Sequence, residues 1–152
     1  MARQRLTRVK LAARRGGTLV LDAQGVSLHA DGDSRLRGLV ELAELNSARV
    51  AVSAITPLEV RRTGRSGERL RFLLARYTQA PVSERVIEAA GHLLDTSGLD
   101  GHECLVDALV VATAALSEPP VRLLTSDTSH IPKLCQAAAQ IDGLTEPHVI
   151  TV

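Results

Sequence analysis

Three features of the chain predict an α/β fold with a central parallel sheet of about five strands. Short apolar runs of strand length recur along it, each run is followed by a stretch with helical apolar spacing, and two of the runs end abruptly in an aspartate. Strands that alternate with helices pair in parallel through right-handed crossovers, which places helices on both faces in a three-layer α/β/α arrangement.

The elements follow in order. Residues 18–21 (Thr-Leu-Val-Leu) have the continuous apolar character of a strand buried on both faces, and the run stops at Asp22. Asp33 or Ser34 caps a helix to about Leu45, whose Leu36, Leu39, Val40, Leu42 and Ala43 form one apolar face. Arg49 to Ser53 is the second strand. Thr56-Pro57-Leu58-Glu59 has the signature of a helix start, with threonine as the cap, proline at the first position and glutamate in the first turn. Ser66 to about Tyr77 reads as a helix through Leu70, Leu73 and Leu74, and Gln79 to Val82 as a third strand. Ser83 caps a helix to about Leu94, and Gly98 to Gly101 breaks the chain before the next helix, which Pro119-Pro120 ends. Val121 to Ser126 is a strand that stops at Asp127; a helix from Ile131 to Ala139 and a strand from His148 to Val152 follow.

Composition narrows the function classes. The chain has 152 residues, of which 45% are hydrophobic, enough for a single buried core. No run approaches the ~18 to 20 apolar residues of a membrane span, and the first residues lack the apolar core of a secretion signal, so a cytoplasmic protein is expected. The two cysteines, Cys104 and Cys135, are far apart and fall in helical segments, where they read as small core residues. Residues 1–17 carry Arg3, Arg5, Arg8, Lys10, Arg14 and Arg15 and no acid, so that 12 basic and 17 acidic residues remain from Thr18 onward. The chain is thus expected to divide into a basic, poorly ordered extension (1–17) and one domain (18–152), the extension being a contact for nucleic acid if it is more than a solvated arm.

Asp107 is the most informative residue. It is the only charge between Cys104 and Leu116, where every other position is apolar apart from Thr113. A carboxylate inside an apolar helix costs several kcal/mol of desolvation unless it is paired, hydrogen-bonded, protonated or bound to a metal. In an open parallel sheet the functional crevice lies outside the carboxyl ends of the strands, where Asp22 and Asp127 sit. Glu59 begins the crossover from the second strand on the same edge, and Asp107 lies near the start of its helix. Four carboxylates brought together there repel one another, so either their pKa values rise or a cation neutralises them, and a hard divalent cation such as magnesium or manganese suits oxygen ligands. Ser126 is a candidate hydrogen-bond donor to a carboxylate or phosphate, and Glu103, one turn before Asp107, is an auxiliary ligand candidate.

The ordered set Leu19-Val20-Leu21-Asp22, Thr56-Pro57-Leu58-Glu59-Val60, Val106 to Ala114 around Asp107, and Leu123-Leu124-Thr125-Ser126-Asp127 resembles a PIN domain, most of all the VapC-like toxins of bacterial toxin–antitoxin pairs. The resemblance spans about Thr18 to the C-terminus. It implies a PIN-like nuclease domain, an endoribonuclease dependent on Mg2+ or Mn2+, in which Asp22, Glu59, Asp107 and Asp127 surround the metal. It also implies dimerisation and inhibition by a cognate antitoxin whose C-terminal segment enters the active-site groove. Gln24 departs from the family, which often has a small polar residue two positions after the first aspartate.

An acidic site that cleaves RNA must still attract a polyanion. Arg61, Arg62, Arg65, Arg69, Arg71 and Arg76 face one acid, Glu68, in the segment 61–76, with Arg61, Arg62, Arg65 and Arg69 the foremost candidates for RNA-backbone contact. Phe72 and Tyr77 are the only aromatics, so recognition should lean on charge and RNA shape rather than stacking. A phosphoacceptor receiver domain would have two adjacent acids early in the chain and a lysine after a late strand, but Asp22 has no acidic neighbour and Lys133 falls within a helix. A haloacid-dehalogenase-type phosphatase would have an aspartate where Gln24 stands. A PIN-like module that binds partners without cleaving them is the remaining alternative, against which the presence of all four acids argues.

Overall fold

The computed structural model describes residues 16–152, so the basic run from Arg3 to Arg15 lies outside the described residues. Strands β1 (Thr18–Leu21), β2 (Arg49–Ser53), β3 (Thr78–Ala80), β4 (Val121–Thr125) and β5 (His148–Thr151) form one sheet in the order β3-β2-β1-β4-β5, with every pairing parallel. Helices α1 (Ala23–Ala30), α2 (Ser34–Leu45), α3 (Thr56–Glu59), α4 (Gly64–Leu74), α5 (Glu84–Ser97), α6 (Gly101–Ala115) and α7 (His130–Ala138) occupy the connections. This is the three-layer α/β arrangement with five parallel strands that the alternation of apolar runs implies.

Successive strand residues point to opposite faces, and the core divides accordingly. Leu19, Leu21, Val50, Val52 and Leu124 pack with Leu36, Val40, Leu70 and Leu74 from α2 and α4. Val20 and Leu123 turn the other way, into a cluster with Leu93, Val111 and Leu134 from α5, α6 and α7. Because both faces of the sheet are covered, its central strands read as largely apolar runs rather than alternating ones, broken in β4 by the exposed Arg122.

Side-chain caps set the helix starts. Asp33 Oδ1 accepts the Leu36 amide at 2.8 Å, Ser83 Oγ that of Val86 at 3.3 Å, and Asp100 Oδ1 those of His102 at 2.7 Å and Glu103 at 3.2 Å. At the far end of α5, Gly98 takes φ +70°, the left-handed conformation that glycine adopts without penalty.

Four local expectations need correction. Helix α1 is absent from the sequence reading: Gly25 is a poor helix former, and the segment Ala23–Ala30 buries only Gly25 and Val26, too narrow a face to register as periodic. Thr56 does not cap α3; Ile55 occupies the cap, Thr56 is the first helical residue and its buried hydroxyl has no partner among the described residues. Helix α4 begins two residues earlier than expected and stops at Leu74 rather than Tyr77. Strand β3 covers Thr78–Ala80 instead of Gln79–Val82, because Pro81 offers no amide to continue the ladder.

Candidate functional site

The connections step outward from β1 through β2 to β3, and the chain then returns to pair β4 against the other side of β1. The strand order therefore reverses between β1 and β4, and a crevice opens at that point of an open parallel sheet. Leu21 and Leu124 are in register, and the Asp22 amide donates to the Leu124 carbonyl at 3.2 Å. Asp22 and Asp127 thus leave neighbouring strands at the same edge. Glu59 closes α3, just beyond β2 on the other side of β1, and α6 packs against both β2 and β4 with Asp107 in its second turn.

Electrostatics register the convergence. Burial raises the Asp22 carboxyl above the ordinary range, and the charge of Asp127 adds to it against hydrogen bonds from Thr125 and the amides of Gly25 and Gln24. Glu59 is raised by desolvation and by the charges of Asp107 and Asp22. Asp107 is raised by burial and by the charges of Asp127 and Asp22, with His130 pulling the other way. Asp107 is not sealed in the core, as its apolar neighbours in sequence suggest: its side chain is 31% exposed and is paired with His130, with Nδ1 3.6 Å from Oδ2.

Asp127 is the exception among the four. Burial pushes its carboxyl up, but hydrogen bonds from the amides of Ser129, Ile131 and His130 and from the Ser129 hydroxyl outweigh burial and hold it below the usual range. Its oxygens accept from Ser129 N at 2.7 Å, Ile131 N at 2.9 Å and His130 N at 3.1 Å, so it caps α7 from two residues upstream of the helix's nominal cap. Asp127→Ala is expected to remove that cap and cost about 1 to 2 kcal/mol, while Asp127→Asn should retain most of it. Urea denaturation of both variants checks this; equal losses would contradict the capping role.

Several neighbours differ from expectation. Thr125, fully buried, bonds the Asp22 carboxylate and accepts the Asp127 amide at 3.0 Å, so it links the two strand-end acids; Ser126, beside it, is exposed. Glu103 is exposed in the first turn of α6. Cys104, buried as expected of a core residue, also lies with Asp107 and His130 in a group whose ligand atoms are within 4.8 Å of one another. Neither Thr125 nor His130 was a candidate from sequence; the spacing of Cys104 three residues before Asp107 and of His130 three after Asp127 was the only available signal. Of the arginines, Arg61, Arg65 and Arg69 are exposed, whereas Arg62 is tied to Asp31 at 2.6 Å.

Among the described residues the one group of three or more metal-ligating side chains brought together is Cys104, Asp107 and His130, so of the four acids it holds Asp107 alone; the four acids are linked through their charges. Three of the four carboxylates are raised partly by one another's charge, which a cation would relieve, and oxygen donors completed by water suit magnesium or manganese.

No family model matches the chain, and no curated protein matches it. Solved structures do. A chain of a toxin–antitoxin complex from Klebsiella pneumoniae superposes with a TM-score of 0.60 at 22% identity, covering 88% of this chain and 97% of that one. A chain of VapBC2 from Rickettsia felis, solved bound to a DNA fragment from its promoter, gives 0.65 at 15% identity, covering 89% and 98%. The likeness is one of fold: the protein has the PIN-like α/β architecture found in these complexes.

Proposed function

We propose that this protein is a metal-dependent endoribonuclease and the toxin of a toxin–antitoxin pair. The proposal rests above all on the four acids Asp22, Glu59, Asp107 and Asp127, which come from four different elements to one edge of the sheet, where the charges of Asp22, Asp107 and Asp127 oppose the ionisation of neighbouring carboxyls. Asp22 and Asp107 are the metal ligands in this reading, with Glu59 and Asp127 completing the shell directly or through water. Magnesium or manganese held there supplies a water of lowered pKa and positive charge against the developing phosphate charge. Thr125 works against the burial that raises the Asp22 carboxyl, and the cap of α7 fixes Asp127. The acids hold no attraction for a polyanion themselves, so the exposed Arg61, Arg65 and Arg69 would bind the RNA backbone.

The implied protein partners are a cognate antitoxin and a second copy of the chain. A groove of about 410 Å³ lined by His29, Glu68, Arg69, Phe72, Leu73 and Arg76 supports a protein contact, as does Phe72 at 72% exposure. The test is cleavage of end-labelled RNA by the purified protein. Products are expected with magnesium or manganese and none with a chelator; no cleavage with either cation across transfer, ribosomal and messenger RNA would overturn the proposal.

Arginine substitutions give a second check. In the cleavage-defective Asp107→Asn background, Arg65→Ala and Arg69→Ala should each weaken RNA binding severalfold and lower the salt slope by about 1. Arg62→Ala should do less, because its guanidinium already serves Asp31. Fluorescence anisotropy at several salt concentrations measures both quantities.

A further inference from the structure

Cys104 and His130 both lie beside Asp107, next to the acidic pocket, and the mechanism proposed above uses neither. Cys104, 1% exposed, lies one turn before Asp107 on the same face of α6. His130 opens α7, its amide held by Asp127 Oδ2 at 3.1 Å, and its Nδ1 lies 3.6 Å from Asp107 Oδ2. The thiol sulfur, a carboxylate oxygen and a ring nitrogen all lie within 4.8 Å of one another. An Asp–His ion pair would need only two of these residues, and a thiol serving as core filler would need neither.

We propose that Cys104, Asp107 and His130 form a three-ligand site for a borderline divalent cation of the zinc class, sharing Asp107 with the acidic pocket. The donors decide the class: thiolate and imidazole suit zinc, cobalt and nickel, whereas magnesium takes oxygen. Metal bonds of about 2.0 to 2.3 Å at tetrahedral angles put ligand atoms about 3.3 to 3.8 Å apart. The His130–Asp107 separation of 3.6 Å already meets that spacing, and the remaining pairs need close by only about 1 Å. On binding, the Cys104 thiol releases its proton to solvent as the sulfur–metal bond forms, and His130 binds through a neutral ring nitrogen. Three protein ligands leave a fourth position for water. A cation there takes Asp107 from the magnesium pocket; that competition, unlike the binding itself, rests on the nuclease reading above.

Cobalt(II) serves as the spectroscopic stand-in for zinc in a titration of the full-length protein without magnesium. One equivalent is expected to bind with a near-ultraviolet sulfur-to-cobalt charge-transfer band and to be displaced by one equivalent of zinc. Cys104→Ser should lose the band and Cys135→Ser keep it, with circular dichroism confirming that both fold. His130→Gln, a surface change that carries the test if Cys104→Ser fails to fold, should weaken cobalt binding about tenfold or more. A wild-type protein without the band, a band that survives Cys104→Ser, or unchanged cobalt affinity in His130→Gln would overturn the site. None of these readouts depends on RNA cleavage, so failure here is distinct from failure of the nuclease proposal.

Discussion

Asp22→Asn and Asp107→Asn are each expected to cut metal-dependent RNA cleavage by roughly a hundredfold or more, the loss typical of removing one charged group that stabilises a transition state. The same substitutions should make the metal-free protein more stable. Both carboxyls are raised in the fold by burial and by neighbouring charges, so the folded state holds its protons more tightly than the unfolded chain does. The unfolded chain then binds fewer protons between the ordinary value of 3.8 and the raised one, and stability falls as pH climbs through that window and stays lower above it. Asparagine removes the charge while its amide oxygen can still accept the Gly25 amide that Asp22 caps at 2.7 Å. A gain of about 1 kcal/mol would raise Tm by about 2 to 4 °C for a chain of this size. Added magnesium should raise the Tm of the wild type and leave Asp22→Asn nearly unmoved. Cleavage assays and thermal melts with and without magnesium decide the matter, and undiminished cleavage in both variants would remove these residues from the metal site.

Leu123→Ala should be the most damaging simple truncation in the sheet, at about 3 kcal/mol and a fall in Tm of roughly 6 to 12 °C. Leu123 is fully buried on β4, in register with Val20 on one side and Val149 on the other. Its side chain enters the cluster formed with α5, α6 and α7, where dense packing leaves little room to collapse around a cavity. Cleavage per folded molecule should change little, since the truncated side chain points into the core rather than the crevice. Urea unfolding provides the measurement; a loss below about 1 kcal/mol would mean that the core relaxes around the gap.

The sheet was largely legible in the sequence because strands covered on both faces are mostly apolar, and the runs at β1, β2 and β4 stand out for that reason even with Arg49 and Arg122 in them. Helices α2 and α5 were legible through their caps Asp33 and Ser83. Helix α1 was not, since half of its turns face neither core nor open solvent and its residues show no period. Strand β3, short and at the sheet's edge, lacks the apolar signature altogether. At the site, Asp22 and Asp127 could be found because an acid that ends an apolar run must lie at the strand's end. Thr125 could not, because its role depends on the register of β4 against β1, which local sequence does not encode. His130 was hidden for a similar reason: its distance from Asp107 is set by how α7 docks on α6.

The order β3-β2-β1-β4-β5 also bears on when such a protein could become active. Asp22 and Glu59 belong to the first half of the chain, Asp107 and Asp127 to the second, and β4 must slot beside β1 before the two pairs face each other. A nascent chain that has emerged only through α5 holds half of the acids and nothing to set against them. The pocket is therefore completed late in synthesis, and the nuclease proposed above would stay silent until β4 has been made and docked.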